Sequence, residues 1–124
     1  MVQERGKTVV IIDDDEYVSG VLGGLLEVFG YPVKTYPSAK DFMAEASSIN
    51  AGCLVLDQNM PGMRGLDLVA RLGREHRSVP TVLITGMPDM DLLRRARQLG
   101  VTKVLQKPMS HKELLSQIEA CLGA

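Results

Sequence analysis

The feature that most constrains this chain is a fivefold alternation of short apolar runs with longer segments of helical periodicity. The first run, Thr8-Val9-Val10-Ile11-Ile12, is apolar at every position after Thr8 and stops in Asp13-Asp14-Asp15. A strand of that kind needs cover on both faces, as in the interior of a parallel sheet. Behind it, Val18, Val21, Leu22, Leu25, Leu26 and Phe29 recur as one helical stripe, which Gly30 and Pro32 bring to a stop. Val33 to Tyr36, set between Pro32 and Pro37, suits a strand at the sheet edge. Ser38 then predicts a capped helix to about Ser47. A third strand is predicted from Ala51 to Leu56, with Asp57 at its carboxyl end. The loop Gln58 to Arg64 leads into a helix with Leu66, Val69 and Leu72 inward. The fourth unit pairs a strand, Val79 to Ile84, with an Asp89-capped helix through Leu99, closed by Gly100. The fifth pairs Val101 to Gln106 with a Ser110-capped helix that carries Leu114, Ile118 and Leu122 on one face.

The pattern is (βα)5. Right-handed crossovers carry helices to both faces of such a sheet. The expected fold is therefore α/β: a doubly wound, five-stranded parallel sheet of flavodoxin-like type, in strand order 2-1-3-4-5. With 124 residues, 45% of them hydrophobic, the chain has the size of one domain with one real core. Residues 1–124 are expected to form that single domain, with 1–6 disordered and no output module inside it. A net charge of −1 argues against a nucleic-acid surface driven by bulk charge. Arg94, Arg95 and Arg97 read as a solvated helix face. Two isolated cysteines, Cys53 and Cys121, build neither a disulfide framework nor a metal site and point to a reducing compartment. No apolar stretch approaches the roughly 20 residues that span a bilayer, and Met1 to Lys7 contains no signal-peptide core. A cytoplasmic location without membrane contact is expected.

In an open α/β sheet, chemistry collects at the carboxyl ends of the strands. The first strand ends in Asp13-Asp14, the third in Asp57 and the fourth in Thr85; the fifth is followed by Lys107-Pro108. In the order 2-1-3-4-5 these strands are neighbours, so the four groups converge on one rim. Three crowded carboxylates repel one another, and a divalent cation removes the conflict. Mg²⁺ favours oxygen ligands and a few carboxylates, whereas zinc would call for His or Cys partners that are absent nearby. A carboxylate can act as nucleophile in phosphoryl transfer, a reaction that needs positioning and charge stabilisation above all. An ammonium group about 4 Å from it gains about 4 kcal/mol at an effective dielectric near 20, before desolvation. Lys107 offers that group, and Thr85 offers a hydroxyl donor.

Four segments carry a more specific signal: VVIIDDDEYV, CLVLDQNMPGMRGLDL, VPTVLITG and VLQKP, in this order and at matching separations. Through them the chain resembles the receiver domains of two-component response regulators over essentially its whole length. The resemblance implies that Asp57 is the phosphoacceptor and that Asp13 and Asp14 are the acidic metal pair. It implies that Asn59 ligates Mg²⁺ through its backbone carbonyl, alongside Asp57, and that Thr85 and Lys107 are the switch hydroxyl and the site lysine. It also implies a cis Lys107–Pro108 bond, and it leaves Asp15 as a helix N-cap. The function so implied is a signalling switch, not an enzyme, that assists its own phosphorylation and dephosphorylation. A histidine kinase or histidine phosphotransfer protein would supply the phosphoryl group, and the fourth helix, fifth strand and fifth helix would form the readout face. A homodimer through that face is part of the same implication. Three settings stay open: a single-domain regulator, a piece of a hybrid kinase, or a receiver followed by a DNA-binding domain outside this chain.

Two rival classes share features with this pattern. An aspartyl-phosphate hydrolase of the haloacid-dehalogenase type needs an acid where Asn59 stands. A phosphate-independent interaction module on the same fold usually lacks an acid or the lysine, and here all are retained. The chain departs from many receivers at Val104, where they carry Tyr or Phe, and at Met109, where Phe often follows Lys-Pro. Without an aromatic ring to swing, the fourth helix is expected to report switching by a smaller repacking. Met87, apolar and overhanging the site in such a receiver, is expected to hinder the approach of water.

Overall fold

Strands form where the apolar runs predict them. In the computed structural model, which describes residues 7–123, β1 (Thr8–Ile12), β2 (Val33–Tyr36), β3 (Ala51–Asp57), β4 (Thr81–Thr85) and β5 (Lys103–Gln106) make one sheet. Every pairing is parallel, and the order is β2-β1-β3-β4-β5, as expected. The expected disorder of residues 1–6 lies outside the described residues. Interior strands are buried on both faces: Val9 to Ile12, Cys53 to Leu56, and Val82 to Ile84. The edge strands expose Lys34 and Thr35 on one side and Lys103 and Gln106 on the other, which blunts the free edges.

Among the described residues five α-helices flank the sheet: α1 (Glu16–Val28), α2 (Ala39–Glu45), α3 (Gly65–Arg74), α4 (Met90–Gln98) and α5 (His111–Cys121). Four have a side-chain cap. Asp15 accepts from the amides of Tyr17 and Val18, Ser38 from Asp41, Asp89 from Leu92, and Ser110 from Glu113. Each such cap typically contributes about 1 kcal/mol. Side chains alternate across the strands, so the core has two halves. Val10, Ile12, Leu54, Leu56 and Leu83 meet Phe42, Leu66, Leu68, Leu72 and Ala96 from α2, α3 and α4. Val9, Ile11, Cys53, Val55 and Ile84 meet Leu22, Leu26, Leu114 and Ile118 from α1 and α5. Among the described residues no helix is long and apolar enough to cross a membrane.

The departures from expectation have local causes. β4 begins at Thr81, not Val79, because Pro80 has no amide to donate to a ladder. β5 begins at Lys103 because Gly100, at φ 82°, and Val101, whose amide donates to Ala96 O, still belong to the closing turn of α4. The second helix ends at Glu45 and continues as one tighter turn, Ala46–Ser48. The α1 stripe is rotated: Ser19, Leu22, Gly23 and Leu26 face inward, whereas Val18, Val21 and Phe29 are exposed. Gly23 lies on that inward side, where a Cβ would make ordinary contacts with Val33 Cγ1 at 3.6 Å and Thr35 Cγ2 at 3.7 Å. Gly23 therefore faces β2, while Gly24 faces open space.

Candidate functional site

Parallel registration puts the carboxyl ends of β1, β3, β4 and β5 along one edge. Ile12 pairs with Leu56, so Asp13 and Asp57 are the next step on adjacent strands. Asp57 pairs with Ile84 and Thr85 with Gln106, so Thr85 and Lys107 each lie one residue further along the same rim. Asp13, Asp14 and Asp57 each present a carboxylate oxygen, and all of these oxygens lie within 4.8 Å of one another. Asp13 and Asp57 are buried and Asp14 is exposed. Asp13 Oδ1 accepts from the Asp15 amide at 2.9 Å. Burial is the main cause holding the Asp13 carboxyl above its ordinary pKa; the charges of Asp57 and Asp14 add to the rise, and the Asp15 amide and Lys107 oppose it.

Lys107 Nζ donates to Asp57 Oδ1 at 3.2 Å, and the Asn59 amide donates to the same oxygen at 3.2 Å. The pair is asymmetric, with 3% of the Asp57 side chain exposed against 41% of Lys107. Among the described residues no donor reaches Asp57 Oδ2, and no fully buried side-chain oxygen or nitrogen lacks a partner. Oδ2 is therefore the oxygen that opens to the rim. Thr85 is buried, and its Oγ1 accepts from the Met87 amide at 3.1 Å, which leaves the hydroxyl proton free to be donated. The Thr85 carbonyl accepts from the Lys107 amide at 2.8 Å and extends the ladder by one step. The Lys107–Pro108 peptide is cis, as expected. Val104 is half-buried and packs with the α2, α3 and α4 half of the core; Met109 packs with the other half. Met87 is exposed.

An all-oxygen set of three carboxylates fits a hard divalent cation and not zinc. The crowding has a consequence that needs no metal. Asn at position 13 would keep an oxygen to accept from Asp15 while removing a buried charge that faces two like charges. Metal-free Asp13→Asn is expected to gain on the order of 1 kcal/mol of stability. Urea unfolding in the presence of a chelator checks it; a variant less stable than the wild type would mean that attraction to Lys107 outweighs the repulsion.

Residue-by-residue expectation missed Gln58, which stood only as the first residue of a loop. It is buried, its Oε1 accepts from the Leu66 amide at 2.8 Å, and its backbone carbonyl accepts from Gly65 at 3.1 Å. A glutamine between a strand and a Pro-Gly turn carries no local signal for such a contact. Gly65 is fixed by crowding, since a Cβ there would lie 2.8 Å from Asp57 O and 3.0 Å from Gln58 Cα.

The family model described as "Response regulator receiver domain" matches residues 9–119. The chain belongs to this family. The receiver domain is similar to response regulator protein TodT of Pseudomonas putida, with 33% identity over 119 residues, or 96% of this chain and 52% of TodT. It is also similar to transcriptional regulatory protein FixJ of Rhizobium meliloti, with 35% identity over 112 residues, 90% of this chain and 55% of FixJ. The receiver domain thus spans about half the length of these relatives. The crystal structure of FixJ-N superposes with a TM-score of 0.85 at 32% identity, covering 99% of this chain and 96% of that one. Chemotaxis protein CheY4 of Vibrio cholerae, at 23% identity, shares the fold with a TM-score of 0.86 over 94% of this chain and 98% of its own.

Proposed function

We propose that this receiver domain is a phosphorylation switch in which Asp57 takes a phosphoryl group from a phosphohistidine donor. One observation carries the proposal: Lys107 Nζ lies 3.2 Å from the buried Asp57, beside two further acids that can share a cation with it. Asp13, Asp14, Asp57 and the backbone carbonyl of Asn59 would hold Mg²⁺. Bound there, the ion would neutralise carboxylate charge and orient phosphoryl oxygens. Asp57 Oδ2 forms the new O–P bond while the donor's N–P bond breaks, and the departing imidazole takes up a proton from water. Lys107 shifts from Asp57 to a phosphoryl oxygen, and the Thr85 hydroxyl donates to another. Moving that hydroxyl draws the segment from Gly86 to Asp89 toward the rim and biases α4. Reversing a 1:99 population takes about 5.5 kcal/mol of differential interaction, a scale that a charge-assisted pair and a hydrogen bond can approach together.

Residues 1–124 act in this proposal as one receiver unit, with the α4-β5-α5 face as readout and as the surface for a homodimer. The donor is a histidine kinase or a histidine phosphotransfer protein. Relatives called response regulator and transcriptional regulatory protein are about twice as long. That length supports a setting in which the receiver controls a DNA-binding domain. Incubation with acetyl phosphate and Mg²⁺, read by intact mass, tests the switch. One phosphoryl group per chain is expected, and none when a chelator replaces Mg²⁺. No uptake would sink the proposal, and steady multi-turnover release of phosphate would favour a hydrolase.

A further inference from the structure

The first turn of α3 is held by the residue that directly follows Asp57. The Gln58 amide donates to Ile84 O at 2.9 Å, which anchors it to β4 one step beyond the strand pairing. Its carbonyl accepts from Gly65 at 3.1 Å, and its side-chain Oε1 accepts from Leu66 at 2.8 Å. One buried residue therefore ties the segment from Asn59 to Arg64 closed at its neck. The amide of Leu66 is one of the helix-start donors that have no partner inside the helix. A side chain eight residues upstream satisfies it, not the residue that precedes the helix. Glutamine supplies this acceptor without adding a fourth negative charge to a rim that already carries three acids. Asn59, whose amide donates to Asp57 Oδ1 at 3.2 Å, is the first residue of the closed segment.

We propose that Gln58 is a positioning residue: by clasping the start of α3 it fixes the direction of the Asn59 carbonyl and so sets the affinity of the rim for Mg²⁺. The inference rests on Asp13, Asp14, Asp57 and Asn59 being the Mg²⁺ ligands. Groups behind the ligands commonly change metal affinity by about 10-fold or more when removed. Gln58→Met keeps the length and loses the acceptor; Gln58→Glu keeps an acceptor oxygen. Ile118→Val, in the half of the core that α1 and α5 cover, serves as a purely structural control. Mg²⁺ affinity is measured by calorimetry on the folded chain, with amide hydrogen exchange at Leu66 read in parallel.

In Gln58→Met, affinity is expected to fall about 10-fold and the Leu66 amide to exchange faster. Gln58→Glu should bind Mg²⁺ at least as tightly as the wild type, and Ile118→Val should match it. Wild-type affinity in Gln58→Met, an equal fall in Ile118→Val, or an equal fall in Gln58→Glu would overturn the clasp. A wild type that binds no Mg²⁺ at all would overturn the ligand assignment, and the clasp with it. If Gln58→Met does not fold, Gln58→Ala, which also lacks the acceptor, takes its place: the same fall is expected, and wild-type affinity there overturns the clasp.

Discussion

Asp57→Asn is expected to abolish phosphoryl uptake from acetyl phosphate while leaving the fold intact. The amide is nearly isosteric with the carboxylate and keeps an oxygen where Asn59 and Lys107 now donate. What it loses is the anionic oxygen at the rim, the nucleophile of the proposed reaction. It also removes one of three clustered charges and so weakens the proposed metal site. Lys107 keeps a neutral acceptor and loses only the charge of its partner; with 41% of its side chain exposed it stays hydrated, so the cost is small. Intact mass after incubation with Mg²⁺ and acetyl phosphate provides the measurement, with thermal unfolding as the fold control. Labelling of Asp57→Asn at the wild-type yield would place the acceptor elsewhere, with Asp13 and Asp14 the nearest candidates.

The parts of this fold that were legible in the sequence are those written in one segment at a time. β1 could be read because both of its faces are apolar, and the alternation with helices that follows places such a strand inside a parallel sheet. The rim could be read because topology brings the strand ends together whatever the packing beneath them. Tertiary contacts were harder. The stripe on α1 runs through Val18, Val21 and Phe29 by composition, yet the helix turns its Ser19–Gly23–Leu26 side inward. That choice is made by packing against the sheet, where Leu22 and Leu26 join Val9, Ile11 and Val55, and helical periodicity cannot contain it. Likewise Gln58 was opaque, since its partner lies on the first turn of another element. Asp13 and Asp14 read alike as acids, but strand geometry buries the first and exposes the second.

The same close packing makes Gly65 the least replaceable glycine near the rim. A Cβ at Gly65 would lie 2.8 Å from Asp57 O, 3.0 Å from Gln58 Cα and 3.0 Å from Leu83 Cδ1. Two of these are backbone atoms, so neither can swing aside; either β3 or α3 must shift. Overpacking of this kind typically costs about 1–3 kcal/mol, and the rigidity of the neighbours puts Gly65→Ala near the upper end. For a domain of this size that is a fall in Tm of roughly 10 °C. Gly24→Ala provides the contrast within the same molecule. Position 24 lies inside α1 with nothing within 4 Å of the added carbon, so alanine there should gain about 0.5–1 kcal/mol. Opposite signs for the two variants in thermal and urea unfolding are the expected outcome. Because the displaced atoms include the carbonyl of Asp57, Gly65→Ala should also slow phosphoryl uptake at temperatures where it remains folded. A Gly65→Ala chain as stable as the wild type would mean that α3 is free to slide, and the closed turn would then be no constraint on the site.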